Sequence, residues 1–508
     1  MHMMDTPLIL TSFLNRAERF FQSKKIYSRT SATTIHEFTY KEYVKRTRQL
    51  ADALTKLGMQ QGTKVGTFAW NHHRHLEAYF AVPCAGAVLH MINIRLAPEH
   101  IVYVINHAED EILLIDDNLV PLIAPFVSQL KTVKHIIIMG DAVALESIPI
   151  PNALSYEALI ADANEHFTFP EDLDENTPAG MCYTSATTGM PKGVVYTHRS
   201  IVLHSLTAGL ADSIAICESD VVLPVVPMFH ANAWGFPFAS VAFGATQVLP
   251  GPMFTPQLLL ELFDVYKVTL TAGVPTIWLG VLQEQRLHPR DLSSMRLIVC
   301  GGSASPIGLV RGFEEELKIP YMTGYGMTMP LLETRVVYEN GEVPWDGETM
   351  GELTIRGPWI ANEYYQDERT DEAFKDGWLY TGDIAVMTPD GYIKITDRTK
   401  DLIKSGGEWI SSVELENALM SHPKVFEAAV IAIPHEKWLE RPLACVVPKP
   451  EYKDSISKKE LIENLQAQFH KTWIPDDIVF IQEVPKTSVG KFLKAKLRED
   501  LKDYRVQV

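Results

Sequence analysis

Cysteine is scarce and scattered. Cys84, Cys182, Cys217, Cys300 and Cys445 form no CxxC pair and no metal-ligand spacing, which excludes a disulfide framework and a zinc site of the usual pattern. Most of them lie in apolar runs and read as buried thiols of a reducing cytosol. Positive charge is also short: 46 Lys and Arg stand against 63 Asp and Glu, a formal net charge of −17. That disfavours nucleic acid as a partner, because a phosphate backbone is held by basic patches. No apolar run is long enough to span a bilayer. The most apolar stretch, Val221 to Pro250, is broken by Pro224, Pro227, His230, Asn232 and Pro237 and reads as a buried wall. The start lacks the basic residues and apolar core of a secretory leader, so a cytoplasmic protein is expected, with at most peripheral membrane contact. No internal repeat or low-complexity tract occurs.

What remains is an ordinary globular composition, 46% hydrophobic and 21% charged. At 508 residues the chain is too long for one core, so two or more domains are expected. Residues 8–58 read as largely helical, with a capping box at Thr39 and Glu42 and one face marked by Leu50, Leu54 and Leu57. Strand candidates at Lys64 to Phe68, Glu111 to Asp116 and His135 to Met139 alternate with helical patterns, the mark of an α/β sheet covered on both faces. A helix over His198 to Ser213 and buried strands over Leu270 to Val274 and Arg296 to Cys300 follow. The stretch Asp397 to Trp409 is charged, then glycine-rich, as a linker should be. It divides the chain into 1–396, a hinge at 397–400, and a small α+β domain over 401–508. Capping boxes at Ser411/Glu414 and Ser457/Glu460, and strands over Ala429 to Ile433 and Cys445 to Val447, are expected in the small domain.

One stretch organises the rest: Tyr183-Thr184-Ser185-Ala186-Thr187-Thr188-Gly189-Met190-Pro191-Lys192-Gly193. Hydroxyls, glycines and a lysine crowd between two apolar runs, Ala179 to Cys182 and Val194 to Tyr196, which read as short strands. Hydroxyls and backbone N–H groups in such a loop can bind phosphate oxygens, and Lys192 can offset their charge. It is not a Walker loop, which needs Gly-Lys-Ser/Thr opening a helix. On composition alone a polar surface loop fits equally well.

The pattern Tyr-Thr-Ser-x-Thr-Thr-Gly-x-Pro-Lys-Gly resembles the signature of adenylate-forming enzymes: acyl-CoA synthetases, luciferases and the adenylation domains of peptide synthetases. Further motifs follow in family order, at Pro227 to Gly235, Gly301 to Ala304, Thr323 to Thr328, Gly377 to Asp383, Asp397 to Trp409 and Pro485 to Lys494. The resemblance implies a large N-terminal α/β domain of stacked sheets plus a distorted β-barrel, and a small mobile α+β C-terminal domain. It implies ATP, Mg2+ and coenzyme A as the reaction's small molecules.

Residue by residue, the resemblance sets Thr184, Ser185, Thr187, Thr188, Gly189 and Lys192 on the phosphates, with Thr184 at the metal. Gly302, Ser303 and Gly324 lie against adenine, Tyr325 stacks on it, and Thr328 lies near the α-phosphate. Asp383 takes the ribose hydroxyls, for which a carboxylate is a strong double acceptor. Arg398 reaches the ribose, Lys400 is the hinge, and Lys404 and Trp409 help hold the adenylate. His230 stands beside the carboxylate site. Ala231, Trp234, Gly301 and Gly302 bound the acyl pocket, with Trp234 matching the tunnel gate of the fatty-acyl branch. Ser405, Gly406 and Gly407 border a thiol channel, and Lys491 is the catalytic lysine. Taken singly, a His or Trp on an apolar segment is more often core, and a Lys in a turn is usually solvated.

Two departures from the family pattern stand out. Ala186 replaces a customary glycine, which narrows the backbone shapes open to the loop. After Thr328 the family's metal-binding glutamate is absent: Met329 and Pro330 follow, and Leu331 to Val337 read as a later strand. Either a segment is deleted there or it lies outside these 508 residues; the second is expected, since such segments are loops near ligand sites. The expected activity is ATP-dependent ligation of a medium- or long-chain fatty acid to CoA through an acyl-AMP. The alternatives are an aryl-acid CoA ligase, or a homologue that binds nucleotide or acyl group without catalysis. No nucleic acid partner is expected; a homodimer is allowed.

Overall fold

Continuous apolar runs become the interior strands. The computed structural model describes residues 3–184, 190–325, 331–338, 341–406, 408–486, 492–502 and 504. Ile112–Asp116 is buried along its whole length, and Lys64–Phe68 and His135–Met139 are buried at every position but the first. They form the middle of a seven-stranded sheet, ordered Leu154–Ser155, His135–Met139, Ile112–Asp116, Lys64–Phe68, Val88–Met91, Pro178–Tyr183, Gly193–Thr197. Burial on both faces is what a parallel sheet demands of its strands. The last two strands are the exception: they pair antiparallel, Tyr183 opposite Gly193, so the organising loop springs from an edge hairpin.

A second seven-stranded sheet runs Tyr321–Thr323, Leu297–Cys300, Leu270–Gly273, Val221–Pro224, Thr246–Leu249, Lys25–Arg29, Ile35–Thr39. All neighbours are parallel until the final pair. Parallel register delivers strand ends to one side. The segment carrying His230 and Trp234, the Gly301 turn and the Gly324 turn therefore leave the sheet at the same end. Both sheets belong to one compact unit, Met1–Gly301 with Lys318–Leu332 and Gly357–Asp371.

The other unit is Gly302–Leu317 with Glu333–Arg356 and Glu372–Val508. It holds a six-stranded antiparallel sheet built on Glu333–Tyr338, Gly351–Arg356, Trp378–Met387 and Ile393–Arg398. Its five-stranded sheet centres on the long pair Val425–His435 and Leu439–Pro448. Alternate residues of that pair face two cores. Ala428, Val430, Ala444 and Val446 pack with Leu415, Leu419 and Leu461, while Ala429, Ile431 and Cys445 pack with Leu497, the period of two that a strand imposes.

Some expectations need correction. Residues 8–58 are not largely helical: helices Thr11–Phe20 and Tyr40–Lys56 flank the strands Lys25–Arg29 and Ile35–Thr39. Thr39 and Glu42 do form a reciprocal capping box. At Ser411 and Ser457 the hydroxyl accepts the N–H of Glu414 and Glu460, half of the expected arrangement. Cys217 is exposed, while the other four thiols are buried.

Candidate active site

The stem of the organising loop is tied twice. Thr184 N donates to the carbonyl of Lys192 at 2.9 Å, and Lys192 N donates to Thr184 Oγ1 at 3.1 Å. The exposed Thr184 hydroxyl accepts that bond and keeps its second oxygen lone pair for another partner. The segment Tyr364 to Arg369 braces the same stem. Tyr365 N donates to Gly193 O at 2.9 Å, Arg369 Nη1 donates to Met190 O at 3.1 Å, and the Lys192 ammonium lies 4.3 Å from the Tyr364 ring centre. A Cβ on Gly193 would meet the Tyr183 ring at 3.1 Å and Tyr365 at 3.2 Å. Nothing in the sequence flagged Tyr364, Tyr365 or Arg369; the Gly193–Tyr365 bridge and the contacts beside it put them next to the loop. Ser185, Thr187, Thr188, Gly189, Thr328, Gly407 and Lys491 lie outside the described residues.

After His230 the backbone turns left-handed. Ala231, Asn232, Ala233, Trp234 and Gly235 have φ of 45°, 53°, 47°, 55° and 77°. Each of the four non-glycine residues carries a cost of roughly 1–2 kcal/mol in that region, and such strain persists only where surroundings over-determine it. Here Asn232 is buried and its Oδ1 accepts from Cys182 Sγ at 3.6 Å. The buried Gly235 lies so close to His204 that a Cβ would stand 2.6 Å from the ring. Burial pulls His204 down to about 4, so its imidazole is neutral at physiological pH. The turn presents Trp234 to the sheet end. A Cβ on Gly301 would lie 3.1 Å from the indole and 2.9 Å from Gly324 O. The structure thus brings Trp234, Gly301 and Gly324 together, with Ala231 and His230 at the head of the turn. Tyr325, half-buried, follows Gly324.

In the other unit, strand register joins Asp383 and Arg398. They are cross-strand partners, and Arg398 Nε lies 3.2 Å from the buried Asp383 carboxylate. Thr399 closes the turn by donating its N–H and hydroxyl to Gly382 O at 3.0 and 3.1 Å. Lys400 follows. Lys404 pairs across strands with Trp409, whose ring meets Tyr338 edge-on at 5.5 Å. Ser405 Oγ accepts from Arg441 at 3.2 Å, and Gly406 N donates to Trp438 O at 2.9 Å. Gly406 has φ 61°, and a Cβ there would strike the Trp438 ring at 2.5 Å, so only glycine fits. Gly302 and Ser303 are exposed, and Gly302 has φ 87°.

Among the described residues no group of three His, Cys, Asp or Glu side chains could hold a metal. A cation at this site would rest on the Thr184 oxygen and on phosphate, the hard oxygen ligands Mg2+ prefers. No described helix is long and apolar enough to cross a membrane.

Comparison with known proteins shows the family and the fold. A model described as AMP-binding enzyme matches residues 16–328, and one described as AMP-binding enzyme C-terminal domain matches 414–491. The first match ends where the sequence departs from the family pattern. The chain is 48% identical to a long-chain-fatty-acid–CoA ligase of Thermus thermophilus, covering 99% of this chain and 97% of that one. It is 42% identical to a 3-methylmercaptopropionyl-CoA ligase of Ruegeria lacuscaerulensis, over 99% and 98%. The alignment to the Thermus protein spans 538 positions, more than this chain has. Among solved structures, the anthranilate CoA ligase AuaEII in complex with anthranoyl-AMP shares the fold at a TM-score of 0.88 and 24% identity, over 98% of both chains. The chain belongs to the AMP-binding enzyme family, the adenylate-forming enzymes.

Proposed function

We propose that this protein is an ATP-dependent fatty acid–CoA ligase acting through an acyl-adenylate. A carboxylate is a poor electrophile because its leaving group is poor. In the first half-reaction its oxygen attacks the α-phosphorus of ATP, the bond to the β-phosphate breaks, and pyrophosphate departs with the electron pair. Both reactants are anionic, so positive charge must stand where they meet. Lys491 supplies it, a point charge on a flexible stem. Thr184, Lys192, Gly189 and the neighbouring hydroxyls of Ser185, Thr187 and Thr188 steady the phosphates. Mg2+, when bound at Thr184, neutralises phosphate charge. Asp383 and Arg398 hold the ribose. Gly302, Ser303, Gly324 and Tyr325 take the adenine, with Thr328 at the α-phosphate and His230 at the carboxylate. Lys404 and Trp409 retain the adenylate.

In the second half-reaction the CoA sulfur attacks the acyl carbonyl, AMP leaves, and the thiol proton passes to solvent. The reading assigns a large domain over 1–396, a hinge at 397–400 centred on Lys400, and a small domain over 401–508. Rotation at the hinge withdraws Lys491 and opens a path for the thiol past Ser405, Gly406 and Gly407. Location in the cytoplasm, membrane contact that is peripheral at most, and a homodimer belong to the same reading.

The observation that carries the fatty-acid assignment is the seat of Trp234 over Gly301, an aromatic wall where an alkyl chain would lie. The name of the Thermus relative agrees with it, whereas that of the Ruegeria relative points to a short thioether acid. Thioester formation with ATP, Mg2+ and CoA across short, medium, long and aryl acids tests the assignment. Highest kcat/KM with a medium or long chain supports it. Preference for a short or aryl acid overturns the substrate. No acid-dependent ATP–pyrophosphate exchange with any acid overturns the enzyme.

A further inference from the structure

A buried lysine sits three residues after Lys491. Lys494 opens the helix Lys494–Asp500, and its side chain is 9% exposed. Its ammonium donates to Ser412 Oγ at 2.6 Å and lies 2.7 Å from Glu416 Oε1. Glu416, also buried, accepts Val430 N at 2.7 Å. Ser412 in turn donates both its N–H and its hydroxyl to Asp397 Oδ2, each at 2.6 Å. Asp397 is the first residue of the proposed hinge. One turn further along the same helix, Arg498 pairs with Asp401 at 2.8 Å, just past the hinge. The helix that follows Lys491 is therefore bonded toward both ends of the 397–401 segment.

Lys486 and Pro485, on the N-terminal side of 487–491, are held as well. Lys486 and Phe492 form an antiparallel bridge, and Leu493 N donates to Pro485 O at 2.7 Å. Lys486 is paired with the buried Glu427 at 2.7 Å. The residues on either side of 487–491 thus meet at one place, each side anchored by a lysine on a buried glutamate.

Burying an ammonium is costly unless it is paired and hydrogen-bonded. Burial works against the charge on Lys494, but Glu416, Asp397 and Asp401 outweigh it and hold the group protonated. A cation placed so deliberately out of water, beside a catalytic segment and a hinge, sets a geometry. We propose that Lys494 is a positioning residue for the first half-reaction: through Ser412 and Glu416 it fixes the Lys491 segment relative to Asp397. The proposal rests on the assignment of Lys491 made above.

The test uses full-length protein and two assays on each preparation, fatty-acid-dependent ATP–pyrophosphate exchange and thioester formation from supplied acyl-adenylate. Misplacing a catalytic group by about 1 Å costs up to about a hundredfold, so Lys494→Met is expected to lower the exchange kcat by about tenfold or more. The KM for ATP and the thioester half-reaction should change by less than about twofold. Ser412→Ala, a smaller change that removes the bridging hydroxyl, should shift the ratio of the two activities in the same direction. Should Lys494→Met fail to fold, Ser412→Ala decides alone. Equal loss in both half-reactions, or an unchanged ratio, overturns the proposal. Lys491→Ala run in parallel separates the two assignments. If it keeps exchange, the assignment of Lys491 falls and this one with it. If it loses exchange while the Lys494 and Ser412 ratios stay put, only this one falls.

Discussion

The indole of Trp234 fills the space that a side chain on Gly301 would need, with a methyl there standing 3.1 Å from Cη2 of the ring. Gly301 is buried, and its other close neighbour is the backbone carbonyl of Gly324 at 2.9 Å, which cannot rotate away. Gly301→Ala must therefore displace the ring. Overpacking of this kind costs about 1–3 kcal/mol. The expected outcome is a fall of about tenfold in kcat/KM for a long-chain acid, with a much smaller fall for a short acid that does not reach the ring. Steady-state kinetics on a chain-length series reads it; a uniform loss across the series would place Trp234 in the core and not at the acyl chain.

Arg369 braces the proposed phosphate loop through the carbonyl of Met190. Arg369→Ala removes the bond to Met190 O and the guanidinium that faces Asp367, whose Oδ1 keeps only the backbone N–H of residue 369 from that pairing. A charge-assisted hydrogen bond contributes about 1.5–3 kcal/mol. Because the bond lies at the stem, the KM for ATP should rise about tenfold while the KM for CoA stays constant. A change confined to CoA would contradict the bracing role.

Asp383 is buried and holds Arg398 across two strands. Asp383→Ala removes the proposed ribose acceptor and the carboxylate that faces the Arg398 guanidinium. Affinity for ATP, read by calorimetry, should weaken by about tenfold or more. Asp383→Asn keeps one acceptor oxygen and should lose less. Equal affinity for ATP and 2′,3′-dideoxy-ATP in the wild type would remove the ribose from the account.

Acid should destabilise the first unit in a defined window. Burial pulls His75 down to about 3 and His198 and His204 to about 4. Unfolded, each titrates near 6.5. Between these values the unfolded chain binds protons that the folded one refuses, so stability is complete above about pH 6.5 and falls as pH drops toward 4. At pH 5 the share of His204 is about 2 kcal/mol. His204→Gln should therefore narrow its stability deficit against wild type, or reverse it, on going from pH 7 to pH 5. Denaturant midpoints at the two pH values check this; a difference independent of pH would contradict it.

Much of this layout was legible from residue order alone. The strands at 112–116 and 135–139 carry the unbroken apolar runs Ile112 to Ile115 and Ile136 to Met139, and the Thr184–Lys192 loop is marked by polar residues between two apolar runs. Lys25–Arg29 and Ile35–Thr39 escaped because they are short, mixed in polarity and set between two helical stretches. Arg369, Trp438 and Lys494 escaped for a different reason. Each acts on a residue far away in sequence, and only strand pairing or a buried ion pair brings the two ends together. Asp383 and Arg398 were named separately, from resemblance; their register across neighbouring strands makes them one unit.

Lys491 is proposed to serve one half-reaction and to stand aside for the other. The direct measurement is single-turnover kinetics of Lys491→Ala in each half separately. Acyl-adenylate formation from fatty acid and ATP should fall at least about a thousandfold, while transfer from supplied acyl-adenylate to CoA should stay within about threefold of wild type. Parallel loss of both activities, or retention of both, would contradict the claim.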